Sequence, residues 1–360
     1  MNRTLVVVTP SHRGHLQYWR IFVESIVRSP TAGGCNLFGM VSHHTIVTDD
    51  REQRVFSATL DKIIAAPRWL QVSTLHDAIR RSADNNLGAP AFQQWLGRVR
   101  NKFWLQSIKK LHGCLAYTPI DGVCFAVDSD SFLLRHSLCH AAEAYMLHDQ
   151  KTVLMATHRF ASDCGQREFV EASRAVLGRP RGEQFGEGYM MSVYHWLWEA
   201  TDLHAFVRDG LRERTALLQL ADSRNTSELH FSVEEAIYHF VYPRAAELGY
   251  RFVPIESALR DVIGASLWER IRRDTDPQVR CDSLEEWFMF LAAPGSSAEI
   301  DEPTAQRMGQ WLVDNGILMA RCPCQETQPP PRSNFSAVMA RLDLCTSSGQ
   351  HARGACMTRR

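Results

Sequence analysis

The run Val123-Cys124-Phe125-Ala126-Val127, which passes straight into Asp128-Ser129-Asp130, constrains this chain more than any other segment. Five apolar or small residues without polar alternation read as a strand buried on both faces, the pattern of a central strand in a parallel sheet. The aspartates then fall at the strand's carboxyl end, where open α/β sheets bind their ligands. Residues two apart in extended chain point the same way, so Asp128 and Asp130 can face one site while Ser129 turns away. Two converging carboxylates repel each other unless a cation lies between them. Mg²⁺ takes one or two carboxylates and completes its shell with waters and substrate phosphates, and Mn²⁺ favours the same oxygen ligands. The competing reading is a polar turn that ends a buried strand, with one aspartate capping the next helix.

Strands and helices alternate through the first half of the chain. Residues 5–10 form a short apolar strand stopped by Pro10, and residues 16–27 carry Leu16, Trp19, Phe22, Val23 and Ile26 at helical spacing. A second strand is expected at 45–48, before Asp49 and Asp50. Residues 95–111 read as one amphipathic helix with Leu96, Val99, Phe103 and Leu111 inward and Arg98, Lys102, Gln106, Lys109 and Lys110 outward. A further apolar strand follows at 152–157. This alternation predicts βαβ units, an α/β fold with a mostly parallel, Rossmann-type sheet flanked by helices. The second half is richer in helix, at 195–208, 233–248 (interrupted at Pro243), 257–272, 283–291 and 304–314, with a strand at 251–256. From about residue 325 the sequence turns to Gln, Pro, Ser, Arg and Gly, and a disordered tail is expected over 325–360.

Composition excludes some functions. The 40 Lys+Arg and 40 Asp+Glu cancel, which removes the electrostatic case for a nucleic-acid partner. No apolar run approaches the roughly 20 residues that span a bilayer, and the apolar segment at residues 5–8 is too short for a secretion signal. A cytoplasmic location is therefore expected, with the ten scattered cysteines as buried free thiols, Cys114, Cys124 and Cys139 among them. Cys322-Pro323-Cys324 lacks the spacing of common zinc sites.

Several pieces in this order resemble a known family: residues 6–14 (VVVTPSHRG), 43–50 (HHTIVTDD), 105–111 (LQSIKKL), 125–134 (FAVDSDSFLL), the apolar Met190-Met191, and 230–242 (HFSVEEAIYHFVY). Together they are similar to the nucleotide-sugar glycosyltransferases of the GT-A fold, in particular a bacterial group of capsule- and surface-polysaccharide type. The resemblance implies a catalytic domain over 1–256, with a nucleotide-binding half at 1–135 and an acceptor half at 136–256, followed by a helical extension at 257–324. It also implies transfer of a sugar from a nucleoside-diphosphate sugar to a hydroxyl acceptor, either a glycan or a small metabolite, with Mn²⁺ or Mg²⁺. His15 stands where such sequences often carry an acidic residue, and the 232–235 stretch has one residue more than the usual pattern.

Each candidate residue has a chemical reason and a plainer alternative. Asp130 is expected to touch the metal, and Asp128 to reach the metal through water or to bind the ribose. Thr9, Pro10, Arg13 and Gly14 form a loop at the end of the first strand, where backbone groups and Thr9 can hold base and ribose and Arg13 can reach a phosphate; the alternative is a solvated loop. Asp49 can accept from base or ribose, or cap a helix. Gln106 and Lys109, one turn apart, are assigned to the donor, whereas Lys102 and Lys110 are read as solvated. Ser232 and Glu235 have capping-box spacing, while Glu234 or Glu235 at the same helix start can bind the acceptor or act as general base. His239 is a candidate third metal ligand, and His230 a more distant one. Two other classes stay open: a nucleotidyltransferase on a similar sheet, which the single glycine of the 9–14 loop disfavours, and a non-catalytic nucleotide-binding scaffold.

Overall fold

A computed structural model describes residues 4–28, 41–63, 70–82, 88–99, 102–129, 131–133, 151–157, 167–178, 188–189, 196–211, 232–274, 300–314 and 319–321. The strands are β1 (Leu5–Pro10), β2 (Val41–Val47), β3 (Leu70–Thr74), β4 (Val123–Ala126), β5 (Ser131–Leu133), β6 (Lys151–Thr157), β7 (Gly188–Tyr189), β8 (Trp196–Glu199), β9 (Tyr250–Pro254) and β10 (Met319–Arg321). The helices are α1 (Leu16–Arg28), α2 (Asp50–Leu60), α3 (Leu75–Ser82), α4 (Ala89–Arg98), α5 (Lys102–Tyr117), α6 (Arg167–Val176), α7 (Ala200–Ala205), α8 (Val233–Val241), α9 (Ile255–Ile263), α10 (Ala265–Asp274) and α11 (Glu302–Asp314).

The main sheet has the order β3-β2-β1-β4-β8. Its first four strands are parallel, and β8 closes the edge antiparallel to β4. Successive residues of the central strands feed opposite faces. Leu5, Val7, Val123, Phe125 and Val127 pack with Trp19, Phe22 and Phe56 beneath α1 and α2. Val6, Val8, Cys124 and Ala126 pack with Trp104, Ile108 and Leu111 of α5 and with Ile79 of α3. Both faces are thus covered, which is why these strands read as unbroken apolar runs. Two smaller sheets, β7-β6-β9 and β10-β5, also lie among the described residues.

Several expectations are corrected. The single helix at 95–111 is two, α4 and α5, because Val99 leaves helical geometry with ψ 110°. The region 195–208 begins as a strand, β8, and becomes helical only at Ala200. The helix expected at 257–272 divides at Gly264, whose φ of 88° suits only a residue without Cβ. Cys114 and Cys124 are fully buried as expected, but they are joined as a disulfide between α5 and β4. As expected, α8 stops short of Pro243 and passes into a tight turn, Tyr242–Arg244. The helix expected at 283–291, the Cys322–Cys324 pair and the 325–360 tail lie outside the described residues. No helix among the described residues is long and apolar enough to cross a membrane.

Candidate functional site

Strand order locates the site before any side chain is considered. From β1 the sheet grows one way through β2 and β3, and the other way through β4. The reversal opens a crevice at the carboxyl ends of β1 and β4, the place where open α/β sheets take ligands. Pairing continues just past the strands: Val127 N–H donates to the Val8 carbonyl at 2.9 Å and Ser11 N–H to the Ile46 carbonyl at 3.0 Å. The 9–14 loop and Asp128 therefore flank one crevice, as the sequence reading placed them.

The donor-side loops are held from below. Asp49 is the N-cap of α2, its Oδ1 accepting from Glu52 N–H at 2.9 Å, so the capping alternative accounts for it. Glu52 then accepts from Arg13 N–H through Oε1 and from Thr48 N–H through Oε2, both at 2.9 Å. Burial works against its charge, but those two backbone donors and the nearby Lys109 prevail and leave its pKa lowered. Thr9 is fully buried, with Oγ1 2.9 Å from His43 Nε2, so its side chain belongs to the sheet interior. His43 is kept neutral, its pKa pushed down to about 3 by burial and then by His44. Pro10 is buried, whereas Arg13 and Gly14 are exposed. Gly14 N–H donates to His12 Nδ1 at 3.1 Å, and a Cβ there would lie 2.9 Å from the His12 ring. The His12 and His15 rings meet at a tilt of 43° with centroids 4.0 Å apart, and His15 Nδ1 lies 3.1 Å from Ser129 Oγ. Ser129 lies in a turn beyond β4 and is buried against His15.

Helix α5 supplies what the sequence reading did not foresee. Gly113 lets it press onto the sheet, since a Cβ there would come within 2.6 Å of Val8 Cγ1 and 2.8 Å of Ile46 Cγ1. Lys109 and Lys110, expected outward, are both buried. Lys109 Nζ donates to the Ser11 carbonyl at 2.6 Å and to Thr48 Oγ1 at 2.9 Å. Burial drives its pKa down to about 8 against the pull of Glu52 and Asp49. Lys110, taken as solvated, lies 2.9 Å from Asp128 Oδ1 and is hydrogen-bonded to Glu234 Oε1. Burial opposes its charge, but the Asp128 and Glu234 carboxylates outweigh that and raise its pKa. A signal was present: Lys110 shares the i, i+3, i+4, i+7 stripe of Ser107, Leu111 and Cys114, which faces the core. Gln106 is half-buried one turn earlier on the same helix.

The start of α8 meets this lysine. Ser232 is the N-cap, accepting from Glu235 N–H at 3.2 Å, and its hydroxyl donates to Glu234 Oε2 at 2.7 Å. Glu235 Oε1 lies 2.6 Å from His239 Nε2, both fully buried. The structure therefore brings together Asp128, Lys110 and Glu234, with Lys109 and the 9–14 loop beside them. It gives Glu235 and His239 to each other.

Asp128 offers hard oxygen donors at the crevice and keeps a side chain one-fifth exposed (20%), which suits a divalent cation that completes its shell with waters and phosphates. Among the described residues no group of three His, Cys, Asp or Glu converges as a metal cage. His239 is accordingly not placed as a third ligand, its Nε2 being held by Glu235. Asp130, His230, Met190 and Met191 lie outside the described residues.

No protein-family model matches the chain, and no curated protein sequence matches it. Among solved structures it is similar to the apo crystal structure of mouse xyloside xylosyltransferase 1, over 75% of this chain and 93% of that one, with 11% identity and a TM-score of 0.38. That likeness carries no argument for an activity.

Proposed function

We propose that the chain is a GT-A-like glycosyltransferase that moves a sugar from a nucleoside-diphosphate sugar to a hydroxyl of a glycan or small-molecule acceptor. The observation that supports it most is Asp128 at the β1/β4 crevice, beside the 9–14 loop and backed by a buried lysine. The loop's backbone takes the nucleoside, and exposed Arg13 reaches the diphosphate as a bidentate donor. Asp128 and Asp130 would hold a Mn²⁺ or Mg²⁺ ion. Such an ion supplies Lewis-acid neutralisation of the charge that gathers on the departing diphosphate. Lys110 holds the Asp128 carboxylate in place and adds a positive charge behind it. Glu234, sealed behind Asp128 with Lys110 and Ser232, holds the start of α8 against the crevice.

A thermal-shift panel of nucleoside diphosphates and sugar nucleotides, with and without Mn²⁺, tests this reading, because a ligand that binds only the folded state raises its melting point. At least one nucleotide should raise Tm, and more with Mn²⁺ than without. A panel with no shift at millimolar nucleotide rejects the proposal.

A further inference from the structure

We infer that the adjacent lysines of α5 are two separate positioning residues: Lys109 sets the donor-side loops, and Lys110 sets Asp128 against the start of α8. The inference rests on the proposed transfer reaction for its meaning, but its geometry stands alone. Consecutive helical residues point about 100° apart, so one turn of α5 sends two ammonium groups to different halves of the crevice. Lys109 closes a ring: its Nζ joins the Ser11 carbonyl to the Thr48 hydroxyl, and Glu52 joins Thr48 N–H to Arg13 N–H from the other side. That ring fixes the ends of β1 and β2 together. Lys110 joins Asp128, at the end of β4, to Glu234, which the N-cap Ser232 also holds. Burying a charge costs solvation, and apolar residues of similar size often serve a core as well or better. Two neighbouring buried ammonium groups are therefore accounted for by what they hold.

Hydrogen exchange read by mass spectrometry on Lys109→Met and Lys110→Met tests the division, with nucleoside diphosphate titration and donor kinetics alongside. Lys109→Met should speed exchange at least tenfold in the 11–14 and 48–52 segments and weaken nucleoside diphosphate binding at least tenfold. Exchange in 232–237 should stay within twofold of wild type. Lys110→Met should show the reverse pattern, faster exchange in 232–237 and a turnover at least a hundredfold lower, with exchange in 11–14 and 48–52 within twofold of wild type. Where Lys110→Met does not fold, Lys110→Arg is read instead; it keeps the charge but displaces the carboxylates, so 232–237 alone should loosen. Either variant loosening both regions alike, or neither, overturns the inference. If the wild type binds no nucleoside diphosphate, the transfer reading fails, while the exchange pattern still decides whether the two lysines act separately.

Discussion

Two lysines each gather two carboxylates, at opposite ends of the main sheet. Lys110 holds Asp128 and Glu234 at the carboxyl end. Lys151 holds Glu199 at 3.2 Å and Asp202 at 3.9 Å, lies over the Tyr250 ring at 4.6 Å, and Tyr250 Oη donates to Asp202 Oδ2 at 2.7 Å. Glu199 pairs with Val123, the first residue of β4, so this second cluster begins about 16 Å of extended strand away from Asp128. The chemistry is alike, but the surroundings differ. The Lys151 cluster joins β8 and α7 of the main sheet to β6 and β9 of the three-stranded one, and all its ionic side chains are at most 14% exposed. The Lys110 cluster has its lysine and Glu234 sealed at 5% and 1%, but leaves Asp128 at 20%, open to the crevice. A buried ion pair is therefore no marker of function by itself. What separates the two is strand order, which puts one at a crevice and the other at a joint between sheets.

The largest expected contrast follows directly. Asp128→Asn should reduce transfer by about a thousandfold, the scale seen when one preorganised charge-stabilising group is removed, and leave Tm within a few degrees of wild type. Glu199→Gln should do the opposite: initial rates within about twofold, and stability in urea lower by about 1–3 kcal/mol. Equal losses of activity in both variants would erase the distinction.

Acid should break the scaffold shared by both clusters. His43, His44 and His112 are buried, with pKa values pushed down to about 3, 4 and 4, burial being the main cause in each. A histidine whose folded pKa is depressed binds a proton more readily when unfolded. Its contribution is complete above pH 6.5 and declines as pH falls toward the folded value. Three such groups together should cost about 2–4 kcal/mol at pH 5.5 relative to pH 7, measured by urea unfolding at the two values. Unchanged stability would mean these imidazoles are not neutral in the core.

Lys109 gives a smaller effect on the alkaline side. Its folded pKa of about 8 lies below the ordinary 10.5, so between those values the unfolded chain binds more protons and stability rises with pH. Relative to Lys109→Met, the wild type should gain about 1–2 kcal/mol from pH 8 to 9.5. No such gain is expected for Lys110 against Lys110→Met, because its pKa is raised. A flat difference at Lys109 would show that its ammonium is not desolvated as described.

The parts legible in the sequence are those where one signal suffices. The strands β1 and β4, the amphipathic α1, β9 and the stop before Pro243 all followed from apolar runs, period or proline chemistry. The β3–α3 unit escaped notice because Leu70–Thr74 mixes buried and exposed residues and runs into Leu75 with no intervening loop. The run Trp196-Leu197-Trp198 is too short for its period to separate strand from buried helix, and only pairing with β4 makes it a strand. Within the site, Asp128 and the 9–14 loop could be read from their place after strands. Lys110 could not be matched to Glu234, which lies 124 residues away. The tie between Glu235 and His239, by contrast, is local and visible in helical spacing.

The most direct test is calorimetric titration of a nucleoside diphosphate with Mn²⁺ into wild type, Asp128→Asn and Glu199→Gln. The account expects saturable binding by wild type and by Glu199→Gln at similar affinity, and binding at least tenfold weaker in a folded Asp128→Asn protein. Equal affinity in all three, or loss in Glu199→Gln with retention in Asp128→Asn, would contradict the assignment of the ligand site to the β1/β4 crevice.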